Sequence, residues 1–187
     1  MGETLGVLPG VDAAIVVTEP DAAKTPLLQP VLRLLAAARV PHILFINKFD
    51  KAHGQFRLLL SALQQASELP LLLRQIPIWE EGAAAGFVDL ALERAHHWQA
   101  HAPSHVADIA DARREKEARF QMLEMLADHD EHLMEELLGD IEPSRDEVFG
   151  DLRREFANGQ VVPVLIGAAE GDNGIRRLLK ALRHEVP

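Results

Sequence analysis

Four consecutive residues, Asn47, Lys48, Phe49 and Asp50, carry the most specific chemistry in the chain. Guanine presents two adjacent donors, its ring N–H and its exocyclic amino group. The two oxygens of one ionised Asp50 carboxylate can accept from both. Adenine lacks that donor pair and would leave a buried carboxylate unpaired, a mismatch worth a selectivity factor on the order of 10⁴. Lys48 can lay its aliphatic stem along the base, and the Asn47 amide can pin neighbouring loops. A plainer reading of the same tetrapeptide is a polar loop with a lone ion pair. Position favours the pocket, because the tetrapeptide directly follows the apolar run of residues 42–46. Open α/β sheets place their ligands at the carboxyl ends of strands.

A second loop, Gly167-Ala168-Ala169-Glu170, follows the apolar run of residues 161–166. A guanine pocket needs a backbone N–H there, donating to the base carbonyl, and small Ala168 and Ala169 permit the close approach. Alone this signal is weak; beside Asn47, Lys48 and Asp50 it gains weight. The phosphate half of such a site is missing. No G-x-x-x-x-G-K-[S/T] loop occurs, and no D-x-x-G follows a strand. A backbone cradle for phosphates and a ligand for Mg2+ are therefore both wanting.

The elements that would position these loops alternate. Residues 11–18 read as a strand buried on both faces. Thr25-Pro26 reads as the start of a helix running to about residue 39, and residues 42–46 as a second strand. Gly54 opens another helix. Strand, helix, strand, helix implies an α/β fold with parallel strands, since a parallel pair needs a crossover of this length. The middle differs. Residues 71–80 and 86–97 read as a hairpin, followed by helical stretches at 104–128, 130–138 and 144–157. Ser144 and Glu147 have capping-box spacing. Residues 161–166 form a third strand, with Pro163 arguing against a central place in the sheet, and residues 175–183 a closing helix. Residues 71–160 thus read as an inserted α+β unit between residues 1–70 and 161–187.

Composition bounds the function. Lys and Arg number 19 against 29 Asp and Glu, a formal net charge of −10. A broad basic surface for nucleic acid is excluded, so no base-specific nucleic-acid binding is expected. Hydrophobic residues make up 48%, enough for a core rather than a disordered chain. Cysteine is absent, which excludes disulfides, thiolate metal sites and a cysteine nucleophile. No apolar run approaches the roughly 18 residues of a membrane span, so no membrane partner is expected.

These tokens, with Q-I-P-I at 75–78, G-F-V-D-L at 86–90, H-L-M-E-E-L-L-G at 132–139 and N-G-Q-V-V-P-V-L at 158–165, resemble the translational GTPases of the elongation factor G type. The tokens run in family order over nearly the whole chain. The resemblance implies a partial P-loop-NTPase-type GTPase sheet carrying an inserted subdomain. It also implies GTP or GDP bound by a full-length parent, GTP hydrolysis on the ribosome and cytoplasmic action. Because the likeness starts after the D-x-x-G segment, the chain is expected to be a fragment, with Met1-Gly2 left from cloning. By itself it is expected to bind neither nucleotide nor Mg2+ and to be inactive. Ala168 stands where the family usually has serine, and residues 82–103 are short and rich in histidine, which points to a divergent member. Ribosome-protection and release-factor-type GTPases share the family pattern, and a non-catalytic stalk-binding module with a remnant guanine motif is the rival from another class.

Glu124, Asp128 and Glu131 lie at i, i+4 and i+7, on one face if the helix continues. A solvated acidic face explains them as ordinary surface. The resemblance implies instead a docking face for the ribosomal stalk protein. Nine histidines invite a metal reading, but Pro103 interrupts the spacing of His97, His101 and His105, and no metal site is expected. Trp79 and Trp98 are expected to pack the hairpin.

Overall fold

The computed structural model describes residues 6–186; Met1 and Gly2 lie outside the described residues. Two four-stranded sheets organise the chain. The first consists of β1 (Ala14–Thr18), β2 (His42–Ile46), β3 (Leu71–Leu73) and β8 (Val162–Ile166). Their order is β1-β2-β8-β3, all parallel. The second is an antiparallel meander of β4 (Gln75–Glu80), β5 (Ala83–Asp89), β6 (Arg94–His97) and β7 (His105–Ala107). The helices are α1 (Gln29–Ala37), α2 (Phe56–Ala66), α3 (Ala112–Ala127), α4 (Glu131–Leu138), α5 (Arg145–Ala157) and α6 (Ile175–Glu185).

The side-chain period of two divides the parallel sheet into two buried faces. Leu44, Ile46, Val164 and Ile166 pack with Leu32 and Leu35 of α1 and Leu59 and Leu63 of α2. Ile43, Phe45 and Leu165 pack with Leu178 and Ala181 of α6 and Phe156 of α5. Both inner strands are therefore buried at every residue. β1 is not: Ile15 and Val17 are 38% and 56% exposed. Its apolar run reads as doubly buried, but among the described residues it has one neighbouring strand and only its inward side is covered.

The other differences from the sequence pattern have local causes. Residues 22–28 form a 3-10 segment capped by Asp21, whose side chain accepts from the Ala23 amide at 3.0 Å. The α-helix starts only at Gln29, with Pro30 in its first turn. A second proline so soon after Pro26 is tolerated only where no amide donor is needed. Leu71–Leu73, read as the start of the hairpin, pairs with β8 instead. Residues 104–111 are not helical: β7 occupies 105–107, and Asp111 caps α3 by accepting from the Arg114 amide at 3.1 Å.

Pro163 sits in an inner strand after all. Val162 donates to Pro70 O at 2.9 Å on the β3 side, so strand alternation aims position 163 at β2. The β2–β8 ladder begins one residue later, at Leu44↔Val164, so the strand forgoes the one bond that a donor at 163 would make and keeps the rest. A hairpin forms at β4–β5, turning at Glu81 and Gly82 with φ of 50° and 85°, but the expected second arm of residues 86–97 is split between β5 and β6, which pair with each other. Two positive φ values are the requirement of the tight turns that match strand twist. The capping box of Ser144 and Glu147 forms as its spacing predicts.

The three helices of the inserted unit pack on the meander through Met122, Leu126, Leu133, Val148 and Leu152. Among them Glu155 of α5 is fully buried, and neither carboxyl oxygen has a partner. Loss of hydration, reinforced by the Asp151 carboxylate, pushes its pKa up to about 8 from the ordinary 4.5. Between those two values the folded chain holds a proton that the unfolded chain has released, so stability falls as pH rises through this window. Glu155→Gln stays neutral and should remove that loss. Urea unfolding from pH 5 to pH 8 should show the parent losing up to about 1.4 kcal/mol per pH unit relative to the variant. Parallel pH profiles would show that Glu155 is already ionised in the folded chain.

Candidate functional site

The loops after β2 and β8 meet at the carboxyl end of the parallel sheet. Their strands are neighbours, so the loops emerge side by side. Three hydrogen bonds then join them. Gly167 donates to Ile46 O at 3.0 Å, Phe49 donates to Gly167 O at 2.9 Å, and Ala169 donates to Asn47 Oδ1 at 2.9 Å. A Cβ on Gly167 would stand 2.6 Å from both the Phe45 ring and Asn173 O, so only glycine lets these strand ends approach. The two loops singled out in the sequence are thus one structural unit, with Asn47 as the pin between them.

Lys48 occupies the left-handed region at φ 57° and starts the 3-10 turn Phe49–Lys51. Few non-glycine residues adopt that backbone. Bonds on both sides hold it: Asn47 donates to Thr18 O at 2.7 Å, and Phe49 is fully buried. The Phe49 ring meets Phe56 of α2 edge-on at 5.4 Å and Trp79 of β4 at 5.9 Å. Burying Phe49 turns its sequence neighbours Lys48 and Asp50 outward, and both are exposed. Asp50 makes no hydrogen bond or ion pair to another described side chain, leaving both carboxylate oxygens open.

Glu19, just past β1, is a site residue that the sequence pattern does not single out. Lys24 and Lys48 both donate to its carboxylate, Lys24 at 2.5 Å. The Lys24 bond first, then that of Lys48, lowers its pKa to about 2. The available signal is an acid at the carboxyl end of the strand beside the Lys48 loop.

The backbone donors expected in the second loop are both engaged. Ala168 donates to Asn173 O at 2.9 Å, and Ala169 donates to Asn47. Ala168 is buried and Ala169 exposed.

Glu124, Asp128 and Glu131 do not share one helix. α3 ends with Asp128 as its C-cap, and Asp130 starts α4 by accepting from the Leu133 amide at 3.0 Å. All three acids are exposed. Asp128 and Glu131 line one open depression of about 560 Å³ with Asp130 and Glu135, while Glu124 stands outside it.

His97 and His105 face each other across β6 and β7, an arrangement made by strand pairing rather than by a helix. His132 lies 3.7 Å from Glu136 and 3.6 Å from Glu147. The Glu136 spacing is i+4 on α4, a His–carboxylate pair that the sequence reading passes over. His132 and Glu147 are exposed and Glu136 is half-buried, and acidic groups of this kind are common on protein surfaces without an ion. Trp79 and Trp98, expected to pack the hairpin, pack against the main core, which Ala84 and Phe87 of β5 join.

A parallel sheet with joined ligand loops at its strand ends, interrupted by an inserted meander-and-helix unit, is a GTPase-type α/β domain. The chain belongs to the Elongation factor Tu GTP binding domain family, which matches residues 1–187. It is 39% identical over 189 residues to an elongation factor G-like protein of Synechocystis, covering 99% of this chain and 28% of that protein. It is 32% identical over 188 residues to elongation factor G of Thermotoga maritima, covering 94% of this chain and 26% of that protein. The chain therefore spans about a quarter of the length of these relatives. The crystal structure of ttk003000868 from Thermus thermophilus has the same fold, with a TM-score of 0.80 at 24% identity, over 100% of this chain and 28% of that one. No described helix is long and apolar enough to cross a membrane.

The pin between the loops can be tested directly. Asn47→Ala should speed hydrogen exchange of the Ala169 amide and cost about 0.5–1.5 kcal/mol of stability, the range for one hydrogen bond. An unchanged Ala169 exchange rate would show that another group holds the loop.

Proposed function

We propose that the chain supplies the base-recognition half of a guanine-nucleotide site in an elongation-factor-G-like GTPase that works on the ribosome in the cytoplasm. The observation that carries this reading is the bond from Ala169 to Asn47 Oδ1, which joins the two loops and leaves the Asp50 carboxylate free beside them. In that reading Asp50 accepts from the guanine ring N–H and amino group, and the Lys48 stem covers the base. The Ala168–Ala169 loop supplies a backbone donor, and Asn47 holds it in place until the base carbonyl arrives. The residues suit guanine: one carboxylate with two open acceptors, and alanines that leave room for a flat ring.

GTP or GDP phosphates and Mg2+ would be held by other segments of a longer parent, and that parent would carry out hydrolysis. In this reading residues 1–70 and 161–187 belong to the GTPase core and residues 71–160 to the inserted subdomain, with β3 of the latter range joining the core sheet. Phosphate and metal contacts supply most of the electrostatic energy of such a site. Calorimetry with this chain should accordingly detect no GDP binding in the micromolar range. In the longer parent, Asp50→Asn should move preference from GTP towards xanthosine triphosphate, because an amide offers one acceptor and one donor. Unchanged base preference in competition would remove Asp50 from base recognition.

The acidic end of the inserted unit supports a second part of the reading, docking to a basic domain of the ribosomal stalk. Asp128 and Glu131 open onto a shared depression, and Glu124 flanks it one turn earlier on α3. Charges on such a rim act chiefly on encounter rate and are screened by salt. Replacing Glu124, Asp128 and Glu131 by lysine should lower the on-rate for the stalk domain, with a deficit that shrinks at high salt. Circular dichroism should stay unchanged, since exposed charges contribute little to stability. Equal on-rates at low salt would return the three acids to an ordinary solvated surface.

A further inference from the structure

Helix α4 and the first turn of α5 bring together three side chains that have no part in the proposed guanine site. His132 Nε2 lies 3.7 Å from Glu136 Oε1 and 3.6 Å from Glu147 Oε1. One ligand atom from each of the three falls within 4.8 Å of the other two. His132 and Glu136 stand four residues apart on α4 and so share a face. Glu147 reaches them from α5.

Exposure alone would make this an ordinary surface group. Two features set it apart. The first is that Glu147 is held in place. Its Oε2 accepts from the Ser144 amide at 2.9 Å within the capping box, and its Oε1 is left facing His132. Contact with the Ser144 side chain, then with its amide, keeps the Glu147 pKa below the usual carboxylate value. The Glu136 side chain is only 16% exposed.

The second feature is charge. The three side chains line one cavity of about 260 Å³ with Asp130, Asp151 and Arg154. Four carboxylates therefore surround a single guanidinium. Arg154 is already engaged, donating to Asp130 and, at 2.6 Å, to Asp151. Asp151 is nine-tenths buried, and among the described residues no group donates to its second oxygen. Burial, ahead of all charge effects, raises its pKa. No described Lys or Arg pairs with Glu136 or Glu147. Carboxylates gathered in this way are stabilised in their charged form by a cation.

We propose that His132, Glu136 and Glu147 bind a divalent transition-metal cation of the zinc class. Bonds of about 2.0–2.2 Å to nitrogen and oxygen set neighbouring ligands of a tetrahedral ion roughly 3.4 Å apart. Both separations from His132 Nε2 already lie close to that value. Rotation of the exposed Glu147 side chain closes the third edge. Three protein ligands leave the fourth position to water. A neutral imidazole suits zinc, whereas Mg2+ and Ca2+ prefer all-oxygen sites. The bound ion clamps α4 to the start of α5. The inference does not depend on the guanine reading, because none of the three residues touches the loops after β2 and β8.

The test is a titration of the intact chain at neutral pH with zinc chloride, then with magnesium chloride, in a buffer that does not chelate either ion. Calorimetry gives the affinity, and NMR follows the His132 ring. One equivalent of Zn2+ should shift the ring signals, and the same concentration of Mg2+ should leave them in place. Loss of a ligand should cost at least as much as loss of an outer partner, about tenfold in affinity. Glu147→Gln should show that loss, and it remains folded because glutamine also completes a capping box. His132→Gln, at an exposed position, should show it too. His129→Gln, outside the cluster, should bind Zn2+ as the parent does and so accounts for stray binding by the other histidines. An unmoved His132 ring, an equal shift with Mg2+, or parental zinc affinity in both cluster variants would overturn the proposal.

Discussion

Four buried charges in a chain join the two sheets. Arg74, in the single residue between β3 and β4, donates Nη1 to Glu185 Oε2 at 2.6 Å and Nη2 to Glu185 Oε1 at 3.3 Å. Arg177 bridges Glu185 and Asp89, and the second Asp89 oxygen accepts from Ala91 and Leu92 at 3.1 and 3.0 Å. Arg74 and Glu185 are 1% and 3% exposed, so removing Glu185 would strand the Arg74 guanidinium without water. Such chains add less net stability than their geometry suggests, because each ion loses its hydration. What they impose is an arrangement. The end of β5, the β3–β4 junction and α6 must meet at one point, and Gln75 tightens it by accepting from the Ile166 amide at 2.8 Å. From there the meander swings Trp79 against Phe49, and Phe49 sets the turn that presents Lys48 and Asp50.

That dependence explains what the sequence can and cannot reveal. The residues proposed to read a base are legible because their types suit one ligand and they follow apolar runs. The bond from Ala169 to Asn47 follows from adjacency of β2 and β8, which no local pattern encodes. The left-handed backbone of Lys48 and the pairing of its ammonium with Glu19 are likewise tertiary outcomes. Leu71–Leu73 escapes a local reading because three apolar residues before a proline-containing strand look the same in a hairpin or a parallel sheet. The apolar positions of residues 104–111 fit a helical period, yet Val106 and Ala107 pair with His96 and Ala95. Pro163 misleads in the opposite direction: a proline near the start of a ladder costs one bond and leaves an inner strand otherwise intact.

The distribution of charge is as organised as the core. Asp128, Asp130, Glu131 and Glu135 crowd the α3–α4 corner, whereas α6 carries Arg176, Arg177, Lys180 and Arg183. A molecule charged this way has a dipole as well as a net charge. Its field turns an approaching basic partner towards one end and an anion towards the other before contact. The −10 total therefore describes solubility better than recognition.

The bare side of β1 has a further consequence. Its outer edge carries no strand among the described residues, and Ile15 and Val17 project unprotected beside it. Unpaired edges with apolar side chains recruit other strands, and nature usually guards them with lysine, proline or a bulge. Here none of those guards occurs within Ala14–Thr18. Residues 6–186 taken by themselves carry this strand as their aggregation-prone edge, and a single lysine at Val17 would be the smallest gatekeeper that could oppose pairing there.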